Sequence, residues 1–446
     1  MLELSFSNMM EEVIGPNGFS SSRIEEFRDA VSGPHEKFLK KDPGDLVFLD
    51  LPNADLSETI NMAKQIRETS DAFLILGIGG SALGPRAILE SLSPFHNLKQ
   101  KTKVFIYDNV DPRTMRQILS IIDLKKTTVN VISKSGGTAE TAASFMILWD
   151  RMKAALGKDA ADHFVATTDP VSGTLRKLAI QEGMRTLPIG PEIGGRFSVL
   201  TPVGLLLSEV IGADTKELMR GASDMNRQCS TDDLTKNPAY LFGSLLYLMS
   251  KEKKRGINVL LPYADSLKFI SEWFCQLWGE SLGKDGIGMT PYPSVGTTDQ
   301  HSQLQLWMEG PQDKVITFIK IADYGEDVIV PKVFGEYDGM NYLSGQGLST
   351  LISAEQESSE LALAKNGRPN MTITIPRIDA YYLGQLFQFF EIATAFTGFV
   401  MNINPFGQPG VEEGKNYTYG MMGKKGYEQK RQEVEAARSK KARWKV

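Results

Sequence analysis

Residues 73–84 read Phe73-Leu-Ile-Leu-Gly77-Ile-Gly79-Gly80-Ser81-Ala-Leu-Gly84, an apolar run that ends on a glycine-rich turn and passes into a helical stretch predicted to begin near Pro85. Residues 128–141 repeat the design. There Thr128-Val-Asn-Val-Ile132 is followed by Ser133-Lys134-Ser135-Gly136-Gly137-Thr138-Ala139-Glu140-Thr141 and an apolar helix over 142–149. A short apolar run bounded by a turn and a helix-length segment is the pattern of a strand covered on both faces, and such runs alternating with helices build a parallel, doubly wound sheet.

The runs Lys103-Val-Phe-Ile-Tyr107, His163-Phe-Val-Ala166 and Arg185-Thr-Leu-Pro-Ile189 extend the alternation. A second set follows a helical stretch over 238–252: Ile257-Asn-Val-Leu-Leu261, Lys314-Val-Ile-Thr-Phe-Ile319 and Met371-Thr-Ile-Thr-Ile375, then a long apolar helix over 381–397. The expectation is an α/β protein with two doubly wound parallel-sheet subdomains and extra helices at both ends. Residues 1–59 read as a mainly helical cover packing on the second subdomain, with apolar residues at three-to-four spacing over 25–31 and, across the boundary, 56–67. The first subdomain is assigned to 60–225, the second to 226–420 and a basic helix to 421–446. Asp, Thr, Ser and Asn accumulate over 212–237, where the division is expected.

The 446 residues are 41% hydrophobic and 23% charged, enough for two or three domains. Two cysteines, Cys229 and Cys275, make neither a disulfide framework nor a paired-cysteine metal motif, which suits a reducing, cytoplasmic compartment. The first fifteen residues lack the basic start, apolar centre and small-residue cleavage site of a secretion signal. No stretch approaches the roughly 20 apolar residues that cross a bilayer. A net charge of -5 gives no global field for nucleic acid. The exception is residues 424–445, where nine Lys or Arg face three Glu. That segment reads as a solvated helix docked through Tyr427, Val434 and Trp444, in preference to an RNA or membrane contact.

Ligands of open parallel sheets bind beyond the carboxyl ends of the strands, so the loops there are the places to look. Gly77-x-Gly79-x-x-Ala82 fits a dinucleotide fingerprint, with Asp108 after the next strand as its ribose acid. The stretch 133–138 argues for a different ligand. Three hydroxyls, one ammonium and two glycines at a helix N-terminus suit a phosphate monoester, whereas capping a helix needs only one hydroxyl. None of the four histidines, His35, His96, His163 and His301, stands at metal-ligand spacing, and neither metal nor cofactor is expected.

At this point the residues resemble the sugar isomerase domain. Four further segments are similar to the bacterial type of the glucose-6-phosphate isomerase family: Gly194-Gly-Arg196-Phe-Ser-Val-Leu-Thr201, Gly279-Glu280-Ser-Leu-Gly-Lys284, Asp299-Gln-His301-Ser-Gln303 and Pro405-Phe-Gly-Gln408-Pro-Gly-Val-Glu-Glu-Gly-Lys415. With the two glycine-rich loops they span residues 73–415. One position departs: Gly407 stands where the family pattern has an acid or amide.

The resemblance implies two sugar isomerase subdomains and interconversion of glucose 6-phosphate with fructose 6-phosphate, in glycolysis and gluconeogenesis. It implies Glu280 as the base that moves a carbon-bound proton, Arg196 as the guanidinium facing the enediolate oxygen, His301 for ring opening and Lys415 as a cation near the ring oxygen. Gly80, Ser81, Ser133, Lys134, Ser135, Thr138, Gln276 and Gln408 would hold the sugar and its phosphate. It further implies a homodimer whose site borrows His301 from the neighbouring subunit. On composition alone Glu280 reads as a surface glutamate in a loop between Gly279 and Gly283, Arg196 as half of an ion pair and Lys415 as one lysine among many. A non-catalytic sugar-phosphate-binding regulator would keep the serine-rich loop without needing Glu280, Arg196, His301 and Lys415 together. A nucleotide-dependent dehydrogenase would respond to NAD(H).

Overall fold

Residues 72–76 are buried at every position, Phe73 and Ile75 toward one side and Leu74 and Leu76 toward the other. A strand with two apolar faces needs a layer on each, which is why helices flank the sheet. The computed structural model describes residues 1–441 and contains ten strands: β1 Glu3–Ser5, β2 Ala72–Leu76, β3 Lys103–Tyr107, β4 Thr127–Ile132, β5 Phe164–Thr168, β6 Arg185–Pro188, β7 Ile257–Pro262, β8 Thr290–Pro293, β9 Lys314–Ile321 and β10 Asn370–Ile375. They form two sheets, ordered β3-β2-β4-β5-β6 and β8-β7-β9-β10-β1. All pairings are parallel except β1 against β10.

The two sheets share a winding. In each, the first parallel strand (β2 or β7) lies between the second and third, so the connections reverse direction beside it, and a crevice opens there. In the first sheet Leu76 is level with Tyr107 and Val131, so the loops at Gly77 and Ser133 leave the same edge as neighbours.

The helices following the first strands, Gly80–Leu92 and Lys268–Leu282, pack against each other between the sheets. They run in opposite directions: Gly79 abuts Gln276, and the Ser91 hydroxyl donates to the Ser266 carbonyl at 3.0 Å. The end of the second helix is thereby brought to the start of the first. A long buried helix, Ala380–Val400, completes the shared core, with Phe387 and Phe390 against Trp273 and Gly398 against Leu282.

The α/β class with paired doubly wound sheets is as expected; several elements differ. The helix after β2 begins at Gly80, five residues before Pro85, so Pro85 stands inside the helix in its second turn, where its missing N–H forgoes the bond to the Ser81 carbonyl. The N-terminal cover also supplies a strand, β1. The polar segment 212–237 carries the helix Thr215–Gln228, whose Leu218, Met219, Ala222 and Met225 are buried. In the tail, the helix Glu428–Lys441 docks on the helix Glu412–Met421 through a Tyr427–Tyr419 ring contact at 5.1 Å, and Val434 is half-buried. Trp444 lies outside the described residues. Among the described residues no helix is long and apolar enough to cross a membrane.

Candidate active site

Ser133-Lys134-Ser135-Gly136-Gly137-Thr138 folds into a turn held by its own hydroxyls. The Gly136 N–H donates to Ser133 Oγ at 3.0 Å and the Gly137 N–H to Ser135 Oγ at 3.1 Å. Gly136 has φ +70°, and a Cβ there would meet the Leu175 N at 2.2 Å, so this turn requires glycine. Thr138 precedes the helix Ala139–Leu156 but makes no capping bond with its side chain; its Oγ1 lies 3.4 Å from Ser133 Oγ. The first-turn N–H groups of that helix and the positive end of its dipole are therefore directed outward.

They open into a cavity of about 500 Å³ lined by Ser135, Gly137, Thr138, Ala139 and Glu140, by Ile78 from the first loop, and by Lys415, Thr418, Tyr419 and Lys424 opposite. Lys415 enters from the helix Glu412–Met421, paired with Glu412 at 2.8 Å. Lys424 is held 3.7 Å from the Tyr419 ring centroid, and the Tyr419 hydroxyl donates to the Gly137 carbonyl at 3.3 Å. Nothing local in the sequence singles out Tyr419 and Lys424 as cavity residues, although Lys424 opens the basic tail. Lys134 does not line this cavity. Its ammonium donates to the Pro191 and Ile193 carbonyls at 2.9 and 3.0 Å, fastening the turn to the loop that leads to Arg196.

Glu280 is in the last turn of the helix Lys268–Leu282, not in a loop. The loop reading rested on Gly279 and Gly283, but Trp273, Phe274, Leu277, Trp278 and Ser281 are buried at helical spacing, and that packing outweighs the roughly 1 kcal/mol a helical glycine costs. Gln276 stands one turn earlier on the same face and donates to Glu280 Oε1 at 3.1 Å.

Arg196 approaches Glu280 from the short turn Gly195–Phe197 and is 2% exposed. Its Nη1 donates to Glu280 Oε2 at 3.3 Å and to Gln408 Oε1 at 3.0 Å, and its Nε to Ser281 Oγ at 2.7 Å. Its Nη2 faces the carbonyls of Pro405, Phe406 and Gly407 at 2.7, 2.8 and 3.2 Å. Burial pushes the Arg196 pKa down and Glu280 beside it pulls it back. Gly80 explains how the guanidinium gets there: a Cβ on it would lie 2.0 Å from the Gly195 carbonyl oxygen, so the first helix can sit on the arginine turn only with glycine. Gly407 has φ +34° with open space around it, and the left-handed backbone turns its carbonyl toward Arg196 in place of any side-chain contact.

Arg196, Glu280, Gln276 and Gln408 thus form one hydrogen-bonded group. It adjoins the cavity, because Ile78 lines the cavity and Gly79 touches Gln276. Ser81 is half-buried in the first turn of the helix Gly80–Leu92. His301 stands apart. It is exposed in the first turn of the helix Gln300–Glu309 and does not line this cavity. Asp108, the residue a nucleotide site would need free, pairs with Arg86 at 2.7 Å.

Two sheets of one winding order, joined through the helices after their first strands, place this molecule among sugar isomerase folds with two subdomains. The sequence model of phosphoglucose isomerase matches residues 56–439. The glucose-6-phosphate isomerase of Carboxydothermus hydrogenoformans is 40% identical, with 97% of each chain covered. That of Rubrobacter xylanophilus is 41% identical, covering 92% of this chain and 96% of the relative. A crystal structure of a hypothetical protein of Thermus thermophilus superposes with a TM-score of 0.84 at 35% identity, over 95% of this chain and 100% of that one. A glucose-6-phosphate isomerase structure from Chlamydia trachomatis gives 0.72 at 26% identity, over 82% and 73%. The chain belongs to the phosphoglucose isomerase family.

Proposed function

We propose that this chain interconverts glucose 6-phosphate and fructose 6-phosphate, opening the sugar ring and then moving a proton between C2 and C1 through a cis-enediolate. Family membership supports the reaction. The observation that carries the assignment of residues is the Arg196–Glu280 pair, 3.3 Å apart and linked to the serine-threonine cavity through Gln276, Gly79 and Ile78. In this reading the phosphate sits on Ser133, Ser135, Thr138 and the helix N–H groups, with Lys424 adding charge, and Gln276, Gln408, Gly80 and Ser81 shape the sugar site. Binding energy from the phosphate then orients carbons that the cradle never touches.

Glu280 takes the proton from C2 and returns it to C1, one carboxylate serving both carbons. As the proton leaves, negative charge grows on the enediolate oxygens, and Arg196 opposes it from a fixed, water-poor position. Most of its donors are committed to Ser281 and backbone carbonyls, so the Nη1 edge toward Glu280 and Gln408 is the part that serves the substrate. Lys415 faces the ring oxygen during opening, and His301 exchanges the ring-opening proton. We place His301 in the site of a neighbouring subunit, so that the working enzyme is a homodimer. Its exposure and its absence from the cavity lining support that placement. Two unpaired cysteines suit the cytoplasm.

A coupled assay of fructose 6-phosphate formation from glucose 6-phosphate in EDTA tests the reaction; turnover is expected without metal or nucleotide, and an inert wild-type chain would sink the reading. Mixing unfolded and refolded Glu280→Gln and His301→Ala chains tests the shared site. Mixed dimers should restore about a quarter of wild-type activity, since about half of the dimers are mixed and one site in each is intact. No recovery would confine His301 to its own subunit.

A further inference from the structure

Lys284, four residues after Glu280, donates from Nζ to the Asn404 carbonyl at 2.5 Å and the Phe406 carbonyl at 3.3 Å. Arg196 donates to the next carbonyls of the same loop, Pro405, Phe406 and Gly407. Four consecutive carbonyls therefore face two cations. The loop joins the helix Ala380–Val400 to the turn Pro409–Val411 and is in neither helix nor strand, so regular structure does not satisfy these acceptors. Gln408 is the next residue, and Lys415 lies within two turns of helix beyond it.

We propose that Lys284 is a positioning residue for the isomerisation: with Arg196 it clamps residues 404–407 and so fixes where Gln408 and Lys415 stand relative to Glu280. The proposal rests on the roles given above to Glu280 and Lys415. Holding two cations on one short loop has an electrostatic cost, which the aligned carbonyl dipoles offset. Burial and then Arg196 depress the Lys284 ammonium to about 8, while Asp285 and Glu280 act the other way. The loop residues opposite, Asn404, Pro405, Phe406 and Gly407, carry no charge. The clamp is thus intact at neutral pH and loses its lysine half as pH rises through about 8.

Stability moves in the opposite sense. A lysine whose folded pKa lies below the ordinary 10.5 leaves the unfolded chain binding more protons between about 8 and 10.5, so its contribution to stability rises across that window. Loss of activity there with no loss of stability would mark the clamp and not general unfolding.

The test uses the full chain with Lys284→Met and Lys284→Arg, measuring kcat and KM from pH 6 to 10 and amide exchange over residues 408–415. Lys284→Met should lower kcat about 30-fold with KM within about threefold, because misplacing groups is costly while the phosphate cradle is untouched. Lys284→Arg should recover kcat to within about threefold and move the alkaline limb up by at least one pH unit, since guanidinium stays charged. Exchange over 408–415 should quicken about tenfold in Lys284→Met. An alkaline limb unmoved in Lys284→Arg, or unchanged exchange and kcat in Lys284→Met, overturns the clamp. If the methionine variant does not fold, the arginine variant decides alone. A wild-type chain without isomerase activity would refute the function instead, and the exchange measurement would then judge the clamp by itself.

Discussion

The two sheets wind in the same order, yet the crevices beyond their strand ends differ in chemistry. The first is floored by the Ser133–Thr138 turn and the N-terminus of an 18-residue helix, with Lys415 and Lys424 opposite. The second, of about 400 Å³ beyond β8 and β9, is lined by Tyr324, Glu326, Asp327, Val328, Ser349 and Glu355. Hydroxyls line both, but the second has three carboxylates and no lysine or arginine, whereas in the first Lys415 and Lys424 offset Glu140 and Glu412, so the second disfavours an anion more strongly. The second subdomain contributes instead from the far end of its first helix, where Glu280 stands. Shared winding creates two hollows, and their side chains set them apart: in the proposed reaction the first binds the phosphate while the other unit supplies Glu280.

The largest expected effect breaks or secures that division. Glu280→Gln should lower kcat by a factor on the order of 10³ to 10⁴ with KM little changed, as for loss of a general base; near-normal turnover in the coupled assay would move the chemistry elsewhere. Next comes the joint between the units. Arg196→Met strips donors from Glu280, Gln408, Ser281 and three carbonyls, and urea unfolding should report a loss of about 3–5 kcal/mol. A loss below about 1 kcal/mol would show that the loop at 404–407 does not depend on it. Ser135→Ala with Thr138→Ala should raise KM and the inhibition constant of inorganic phosphate together, about 10- to 50-fold, leaving kcat within about threefold. In the same assays Glu326→Gln in the acidic crevice should change neither. The smallest effect belongs to Lys424→Met: a two- to fivefold rise in KM at low salt that fades as ionic strength screens the charge.

What could be read from the sequence was local. The strands β2, β3, β4 and β5 are contiguous apolar runs, and the turn 133–138 is six adjacent residues whose composition already suits an anion. What escaped depends on partners far along the chain. β8 reads Thr-Pro-Tyr-Pro and pairs only as an edge strand, where proline's missing donor is harmless. The helix Thr215–Gln228 hides its stripe of Leu218, Met219, Ala222 and Met225 among Asp, Ser and Asn, and composition there suggested a boundary. No local signal joins Arg196 to Glu280 and Gln408, positions 84 and 212 residues away, and only family resemblance singled them out beforehand. Lys284 lay inside a recognised motif, but its partners are backbone carbonyls, which leave no mark in a sequence.

One edge of the second sheet has a bearing on how the protein is made. Leu4 is level with Ile373, so β1, made well before β10, finds its ladder only after β10 has emerged. At about 5–20 residues per second that wait is about 20 to 70 s, during which the first sheet, closed within residues 72–188, can already assemble. Vectorial synthesis therefore leaves β1 unpaired longer than any strand of the first sheet, and a nascent chain halted before residue 370 should carry a folded first sheet with β1 still open to a chaperone or protease.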